Sequence, residues 1–261
     1  MNSLLIKKAE QLIQDFKRPR IFKIQEGKRV LVIAPHADDE VIGAGGSIVK
    51  HRRKNNPVHI VFITDGSNGR SRSESSEETI NVRKKEVIRA CKVLDVEFSM
   101  LEAQDSQFVP DSCLINKLRK VILDVKPDYI YIPHYRDKHR DHFYTNLLFY
   151  SACTDDGFFQ NAGLLDVNVL AYEVWSPLEP NVFVNITNEY DIKQQAMEEY
   201  PSQLSLIPYI KMMSGINQYR VSLFPLPKTE YVEAFYQCPC LKYCQEIEAY
   251  IDNSVFKEEQ C

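Results

Sequence analysis

The first half of the chain alternates between short, continuously apolar runs and longer amphipathic segments. The apolar runs indicate buried strands, and the amphipathic segments indicate helices that turn one apolar stripe towards a core. The predicted strands cover 29–35, 58–64, 96–102 and 128–134, and the predicted helices cover 41–54, 79–94 and 113–126. Such alternation is typical of βαβ units. We therefore expect an α/β fold: a Rossmann-like, doubly wound, mainly parallel sheet with helices on both faces.

The second half of the chain is less regular. Two further strands are predicted over 167–175 and 181–187, and a helix over 190–200 that proline 201 brings to an end. Residues 205–229 show no clear period, and the segment KTEYVEAFYQ that overlaps their end fits a late helix or a strand. The pattern therefore leaves this part of the chain open.

Length and composition limit the classes of protein. The 261 residues are 44% hydrophobic and 26% charged, which suits one large core. No linker or repeat divides them, so we expect a single domain over 1–261, with 1–28 as an N-terminal helical extension. The net charge of -4 lacks the basic excess that nucleic-acid binding usually needs. No apolar run approaches the roughly 20 residues of a membrane span. The first 20 residues are amphipathic rather than signal-like, so we expect a cytoplasmic protein.

Seven cysteines are present, an odd number at irregular positions. A secreted disulfide framework is not expected in a chain with a sizeable core and no export signal. Cys238, Cys240 and Cys244 lie close together in the segment CPCLKYC, but no Cys/His pair with zinc-finger spacing accompanies them. We expect free thiols here, with a metal site as the alternative.

Two dense clusters of ionisable residues follow two of the predicted strands. PHADDE follows strand 29–35 and PHYRDKHRDH follows strand 128–134, and together they hold four of the six histidines. In a doubly wound sheet of order 3-2-1-4 these strands are neighbours, and functional groups collect beyond their carboxyl ends where the strand order reverses. We therefore expect the two clusters to meet in one crevice.

Imidazole and carboxylate together suit zinc, and a catalytic zinc keeps three protein ligands and an open position. We expect one Zn²⁺ per chain, held by His36, Asp39 and His142. Asp38 is placed to act as a general base towards zinc-bound water, whose pKa zinc lowers to about 7. His139, one helical turn before His142, is placed to assist a developing oxyanion or protonate a leaving amine. A hydrogen-bonded cluster without metal is the alternative, and another divalent ion could replace zinc.

Several neighbouring residues suggest structural rather than chemical roles. Asp141 and Glu40 fit helix capping or support of the site, because carboxylates favour helix N-termini. His51 fits a structural histidine. The glycines at 43, 45 and 46 do not form a GxGxxG motif, so we expect close packing of a helix there rather than a dinucleotide site.

Here the motifs resemble a known family. PHADDE with GAGG, TDG at 64–66, DKHRDH, the R-x-x-E of VRKKE, the segment VNITNEYDIKQQAMEEYPSQ and YVEAF are similar to those of the LmbE-like (PIG-L) zinc-dependent N-deacetylases. The similarity spans most of the chain. Ala37 stands where that family most often has proline, and Arg140 replaces the proline of H-P-D-H. Neither change removes a ligand.

The resemblance assigns roles to the same residues. It implies His36, Asp39 and His142 as zinc ligands, Asp38 as the base, and His139 as the group that assists at the oxyanion or the leaving amine. For these five residues, the roles implied by the resemblance are the same as those expected from residue type and position.

Two further roles rest mainly on the resemblance. Asp137 aligns with an often acidic position and is implied to orient His139. Arg83 is implied to contact substrate, and it lies on the inward stripe of its predicted helix; a buried ion pair with Glu86 is the alternative. The Gly/Ser-rich stretch 65–78 fits either a lid over the site or a solvated loop.

We therefore expect a zinc-dependent hydrolase that removes the acetyl group from an N-acetylated amino sugar or N-acetylglucosaminyl conjugate and releases acetate and a free amine. Its partner is a small-molecule substrate, with no nucleic acid and no integral membrane segment, and a homo-oligomer is open. One alternative is a metal-dependent phosphoesterase, although two-metal sites need more carboxylates than these ligands provide. The second alternative is a non-catalytic, sugar-binding relative of these enzymes.

Overall fold

A computed structural model describes residues 6–8, 19–69, 75–154, 157–223 and 227–258, the last five of these by their backbone alone. Within these ranges, eight strands form one sheet in the order β1-β7-β8-β6-β5-β2-β3-β4. The strands are β1 (Arg20–Ile21), β2 (Val30–Ala34), β3 (Val58–Thr64), β4 (Glu97–Ala103), β5 (Tyr129–Pro133), β6 (Asn168–Tyr172), β7 (Val182–Asn185) and β8 (Val232–Pro239).

Helices cover both faces of this sheet. They are α1 (Asp39–Arg52), α2 (Ser76–Leu94), α3 (Ser112–Val125), α4 (Arg140–Thr154), α5 (Phe158–Asn161), α6 (Tyr190–Glu198), α7 (Pro201–Leu204), α8 (Tyr209–Ser222) and α9 (Cys240–Glu258), with a 3-10 turn at Leu164–Asp166. Among the described residues, no helix combines the length and the apolar character needed to cross a bilayer.

The predicted doubly wound, mainly parallel sheet is confirmed. Strand β2 lies between β5 and β3 and runs parallel to both, with Val30 opposite Tyr129 on one side and Val58 on the other. Of the eight strands, only β8 runs antiparallel to its neighbours. The strand order therefore reverses between β2 and β5, where the two clusters of ionisable residues were predicted to meet.

Alternation along β2 divides the core into two layers. Val30, Val32 and Ala34 face one buried cluster, and Leu31 and Ile33 face the other. Helices α1, α2, α6 and α8 cover the first cluster, and helices α3, α4 and α9 cover the second. Because β2 is buried on both faces, its sequence is apolar at every position, as a central parallel strand requires.

The structure differs from the predicted elements at several places, and it contains helices α4, α5, α7 and α9, which were not predicted. Helix α2 begins at Ser76, earlier than predicted, because Ser75 and Glu78 form a capping box. The unpatterned stretch 205–229 contains helix α8, and KTEYVEAFYQ leads into strand β8. The predicted helical extension 1–28 is wrong at its end, where β1 joins the sheet beside β7, because an unpaired edge there accepts a parallel strand. Residues 6–8 are helical, and 1–5 and 9–18 lie outside the described residues.

Close packing of α1 on the sheet explains its glycines. A Cβ atom at Gly43 would lie 2.1 Å from the ring of Tyr172, and one at Gly46 would lie 2.7 Å from Ile186. Only glycine therefore lets this helix approach the strands so closely. The expectation of helix packing rather than dinucleotide binding at these glycines agrees with the contacts.

A buried ion pair anchors the same helix. Glu233 on β8 accepts hydrogen bonds from the backbone amides of Gly46 and Ser47, each at 2.8 Å. Lys193 on α6 donates to Glu233 at 2.7 Å and to the carbonyl of Ile42 at 3.0 Å. Two buried charges thus satisfy each other and backbone groups of α1, and they hold the helix in position above the sheet.

Candidate metal and catalytic site

The two predicted clusters meet at the carboxyl ends of β2 and β5. His36 lies in the loop after β2, and Asp39 is the first residue of α1. The loop after β5 carries Asp137 and His139, and His142 lies in the first turn of α4. The ring centroids of His36 and His142 are 5.6 Å apart, although the two residues come from distant parts of the chain.

Asp39 lies at the centre of this cluster. Its Oδ2 atom is 3.1 Å from Nδ1 of His36 and 3.1 Å from Nε2 of His142. The same oxygen accepts a hydrogen bond from the backbone amide of His36 at 2.9 Å. Asp39 and His142 are buried, and His36 is nearly so. One carboxylate oxygen and two imidazole nitrogens therefore converge in a site that is largely closed to water.

Further carboxylates surround the two imidazoles. Asp141 places Oδ2 at 3.1 Å and Asp105 places Oδ1 at 3.5 Å from Nε2 of His36, while Asp137 Oδ2 lies 3.6 Å from Nδ1 of His142. Carboxylates in this outer position orient metal-binding histidines and raise their basicity. The position of Asp141 fits support of the site, which was one of the two structural roles expected for it.

Asp105 was missed in the sequence. It follows β4, whose carboxyl end lies at the same edge of the sheet as those of β2 and β5. Its position directly after a predicted strand was the available signal, but it stands alone rather than in a dense motif.

The surrounding negative charge affects both rings. Burial lowers the pKa of His142, but the charge of Asp39 and the close contacts with the carboxylates of Asp137 and Asp39 raise it to about 9. Burial also lowers the pKa of His36, yet hydrogen bonds with Asp105, Asp141 and Asp39 raise it well above its usual value. The cluster therefore favours positive charge at its centre, which either protons or a cation can supply.

The donor set fits a metal ion. One ring nitrogen from each of His36, His139 and His142 lies within 4.8 Å of the other two. A second group of three ligand atoms, from His36, Asp105 and Asp141, lies within the same distance. Both ring nitrogens of His142 are buried and lack a hydrogen bond of acceptable geometry. Imidazole and carboxylate ligands of this kind suit zinc and other first-row divalent ions.

Asp38 adopts an unusual backbone conformation beside the cluster of His36, Asp39 and His142. Its φ of 124° lies in the region that favours glycine, and its side chain makes no capping bond to α1. Strained residues of this kind cluster at functional sites. Burial raises the pKa of Asp38 to about 7, against the charge of Arg83, which lowers it. A carboxylate with this pKa suits proton transfer near neutral pH.

Arg83 reaches the same pocket from α2. Its guanidinium lies 3.6 Å from Asp38 Oδ2 and 3.6 Å from Glu86 Oε2, and it donates to the carbonyl of Ala37. Its Nε and Nη1 atoms are buried without a hydrogen-bond partner. Glu86 instead accepts bonds of 2.8 and 2.7 Å from Ser202. The alternative ion pair between Arg83 and Glu86 is thus present but long, and two guanidinium nitrogens of Arg83 make no hydrogen bond.

His139 is fixed as a neutral donor by the backbone. Its Nδ1 accepts a hydrogen bond from the amide of Asp141 at 3.2 Å, so the proton of the neutral ring lies on Nε2. Burial, followed by the charges of His36 and His142, lowers the pKa of His139. Asp137, implied to orient this ring, contacts His139 through the backbone amide instead, at 3.0 Å.

The pocket above this cluster has a volume of about 140 Å³. Two aromatic residues that the sequence analysis did not single out line it: Trp175 after β6 and Tyr209 at the start of α8. The ring of Trp175 stacks on that of His139 at 6.4 Å between centroids. Two larger cavities, of about 800 and 720 Å³, lie away from His36 and Asp39. Within the stretch 65–78, residues 70–74 lie outside the described residues. The predicted choice between a lid and a solvated loop therefore stays a prediction.

Comparisons with known proteins agree with this geometry. Residues 31–153 match the PIG-L family, described as GlcNAc-PI de-N-acetylase. The chain is 38% identical over 110 residues to a probable N-acetyl-alpha-D-glucosaminyl L-malate deacetylase 2 of Bacillus subtilis, which covers 40% of this chain and 50% of that protein. The chain therefore spans about half the length of that relative. The predicted resemblance to the LmbE-like (PIG-L) family is confirmed over residues 31–153.

Two relatives match over a longer stretch. A diacetylchitobiose deacetylase of Thermococcus kodakarensis is 29% identical over 70% of this chain and 74% of its own length. A 4-oxalmesaconate hydratase of Pseudomonas putida is 24% identical over 70% of this chain and 76% of its own length. The similarity therefore extends beyond residues 31–153, and it includes proteins with two different activities.

A solved structure shows the same fold. It is the N,N'-diacetylchitobiose deacetylase of Pyrococcus horikoshii, with a TM-score of 0.72 and 24% identity, and the match covers 93% of this chain and 95% of that one. At this identity the likeness concerns the architecture, including the additional strands and helices beyond the first half of the chain.

Proposed function

We propose that this chain is a zinc-dependent N-deacetylase that acts on an N-acetylated amino sugar or N-acetylglucosaminyl conjugate and releases acetate and a free amine. The observation that carries the proposal is the convergence of His36, Asp39 and His142, with Asp38 beside them and a neutral His139 opposite. The deacetylase activities in the names of two relatives support it.

His36, Asp39 and His142 would hold the metal ion, one per chain. Asp39 is preferred to His139 as the third ligand because its oxygen lies 3.1 Å from both imidazoles, whereas Nδ1 of His139 already accepts a backbone hydrogen bond. When bound, a divalent ion such as zinc polarises the acetyl carbonyl and makes water acidic enough to react near neutral pH.

Asp38 would take the proton of the attacking water. Its carboxylate is buried and faces the pocket, and its pKa of about 7 lets it accept a proton and then pass it on. The water oxygen adds to the acetyl carbon, the bond between that carbon and the amide nitrogen breaks, and the nitrogen leaves as an amine after it gains a proton.

His139 would stabilise the charge that develops on the carbonyl oxygen. Because its Nδ1 accepts from the backbone, its Nε2–H is the donor that remains for the pocket. Asp137 would act as a positioning residue, since it holds the backbone amides of His139 and Trp175 at 3.0 and 2.9 Å.

Substrate recognition would come from Arg83 and Trp175. Arg83 lines the pocket, and its guanidinium suits hydroxyl or carboxylate oxygens of a sugar conjugate. The half-exposed indole of Trp175 offers an apolar face to a sugar ring.

We also propose a single domain. We place the protein in the cytoplasm because the six cysteines described are all free thiols.

A second candidate is a hydratase, because one relative of similar coverage has that activity. Addition of water to a double bond also needs a base such as Asp38 and a proton donor such as His139. The phosphoesterase and the non-catalytic sugar-binding protein stay as further alternatives.

One assay separates these candidates. The purified, metal-analysed protein is incubated with N-acetylglucosaminyl malate, diacetylchitobiose, 4-oxalmesaconate and a generic phosphoester, and acetate, hydration product and phosphate are measured. We expect acetate from at least one N-acetyl sugar and one metal ion per chain. Hydration without acetate would favour the hydratase. Release of phosphate with two metal ions would favour the phosphoesterase. Binding of a sugar without turnover would favour the binding protein.

A further inference from the structure

Three cysteine side chains form a second cluster, remote from the site described above. The sulfur atoms of Cys153, Cys240 and Cys244 all lie within 4.8 Å of one another, and all three residues are fully buried. Cys153 lies near the end of α4, whereas His142 lies near its start. Eleven residues of helix separate them, or about 16 Å. The two clusters are therefore distinct.

Helix geometry brings these thiols together. Strand β8 ends at Pro239 and α9 begins at Cys240, so Cys240 and Cys244 are one turn apart on the same face of α9. That face packs against the end of α4, which supplies Cys153. Cys238, although part of the same CPCLKYC segment, lies on β8 and does not belong to the group of three.

Buried cysteines often act only as small apolar side chains. That role does not require three sulfur atoms to converge.

The distances are also suitable. A zinc–sulfur bond of about 2.3 Å places three sulfur atoms about 4 Å apart when they surround one ion. The present limit of 4.8 Å requires movements of less than about 1 Å to reach that arrangement. Side-chain rotation within the cluster therefore suffices, without movement of either helix.

We propose that Cys153, Cys240 and Cys244 bind a second, structural divalent cation of thiophilic character, such as zinc. Binding forms three metal–sulfur bonds in place of S–H bonds, and the displaced protons pass to the solvent. The ion ties the end of α4 to the start of α9, and so links the helix that carries His142 to the last helix of the chain.

Cadmium is the probe for this site, because cadmium thiolates absorb in the ultraviolet and the catalytic cluster contains no thiol. Metal-free, reduced protein is titrated with cadmium while absorption and released protons are recorded. We expect the band to saturate at one ion per chain, with protons released on binding, and zinc to remove it by competition. Full-length protein lacking His142 (His142→Ala) should show the same band.

Variants identify the ligands. Cys244→Ala should abolish the band, and the matched controls Cys238→Ala and Cys113→Ala should keep it, with circular dichroism as a check of folding. The proposal is overturned if folded wild-type protein with all thiols reduced gives no band, or if the band persists in the Cys153→Ala/Cys240→Ala/Cys244→Ala variant. Binding of copper(I) without binding of cadmium or zinc would also contradict it.

Discussion

Glu40 accepts a hydrogen bond from the backbone amide of Asp38 at 2.9 Å, and its other carboxylate oxygen accepts one from the hydroxyl of Tyr200 at 2.6 Å. Burial raises the pKa of Glu40 to about 8. A glutamate two positions along the chain thus stabilises the strained backbone of Asp38 and leaves the Asp38 side chain free to face the pocket. Asp38 therefore faces the pocket, whereas its neighbour Asp39 contacts the imidazoles of His36 and His142.

The first prediction concerns Asp38. Asp38→Asn keeps the size of the side chain but removes its ability to accept a proton, so the rate of acetate release should fall by about 10²- to 10⁴-fold. Metal content, measured by elemental analysis, should stay at the wild-type value because Asp38 is not among the proposed ligands. Asp128→Asn, on the opposite end of the sheet, is the matched control. Full activity of Asp38→Asn would exclude it as the base.

The second prediction separates ligand from donor among the histidines. His142→Ala should lose the bound metal and all activity, whereas His139→Ala should keep the metal and lose about 10²- to 10³-fold in kcat, as expected for an oxyanion donor. Elemental analysis and acetate release are measured on both proteins. Loss of metal from His139→Ala would instead place His139 in the ligand set with His36 and His142.

The third prediction concerns the aromatic wall of the pocket. Trp175→Ala removes the proposed contact with a sugar ring, which is worth about 0.5–1.5 kcal/mol, so KM should rise about 2- to 12-fold with a smaller change in kcat. Trp175→Phe should recover most of the loss. Tyr219→Ala, which removes an exposed aromatic residue away from the pocket, is the control. An unchanged KM in Trp175→Ala would show that the sugar binds elsewhere.

The fourth prediction tests the packing of α1. Gly43→Ala would place a methyl group against the ring of Tyr172, which is held by its own hydrogen bond to Ile33, so we expect a loss of about 1–3 kcal/mol in the free energy of unfolding. Gly215→Ala, in α8 with open space around it, should instead add about 0.5–1 kcal/mol. Urea denaturation measures both. Equal stability of the two variants would argue against the close approach.

The fifth prediction is a pH dependence of stability. His51 is buried between Tyr131 and Asn56, at 3.0 Å from each, and burial lowers its pKa to about 3. Between pH 6.5 and 3 the unfolded chain therefore binds a proton here that the folded chain does not. The free energy of unfolding should fall as the pH falls, by about 1.4 kcal/mol per unit from this group.

His51→Gln removes that titration. Denaturation of metal-free wild-type protein and variant is compared from pH 5 to 7.5, with the difference at pH 7.5 as the reference. The wild-type protein should lose about 2 kcal/mol more than the variant on going to pH 5. Parallel curves would mean that His51 is protonated in the folded state.

The sequence predicted most of the first half of the fold and the centre of the site. The apolar run of β2 and the two dense motifs were sufficient, because a parallel sheet brings the carboxyl ends of neighbouring strands together whatever their separation along the chain. The late elements escaped prediction for a physical reason. Helix α8 has polar and apolar residues on all sides, so no periodic stripe marked it.

The walls of the pocket could not be predicted in the same way. Asp105, Trp175 and Tyr209 enter the site singly, each from a different segment, and their roles depend on tertiary contacts such as the stacking of Trp175 on His139. Asp137 is a similar case. The motif predicted that it lies beside His139, but whether it contacts the ring or the backbone of that residue depends on the conformation of the loop.

The buried pair of Lys193 and Glu233 has a consequence for how this protein can be divided. Residues 31–153 carry every proposed ligand of the catalytic metal and the proposed base, yet both members of the pair that secures α1 lie outside that segment. An excised fragment would leave backbone amides of α1 without their acceptor and expose the sheet beyond β5. The proposed chemistry lies in one half of the chain and its rigidity depends on the other, so we expect the two halves to unfold as one cooperative unit.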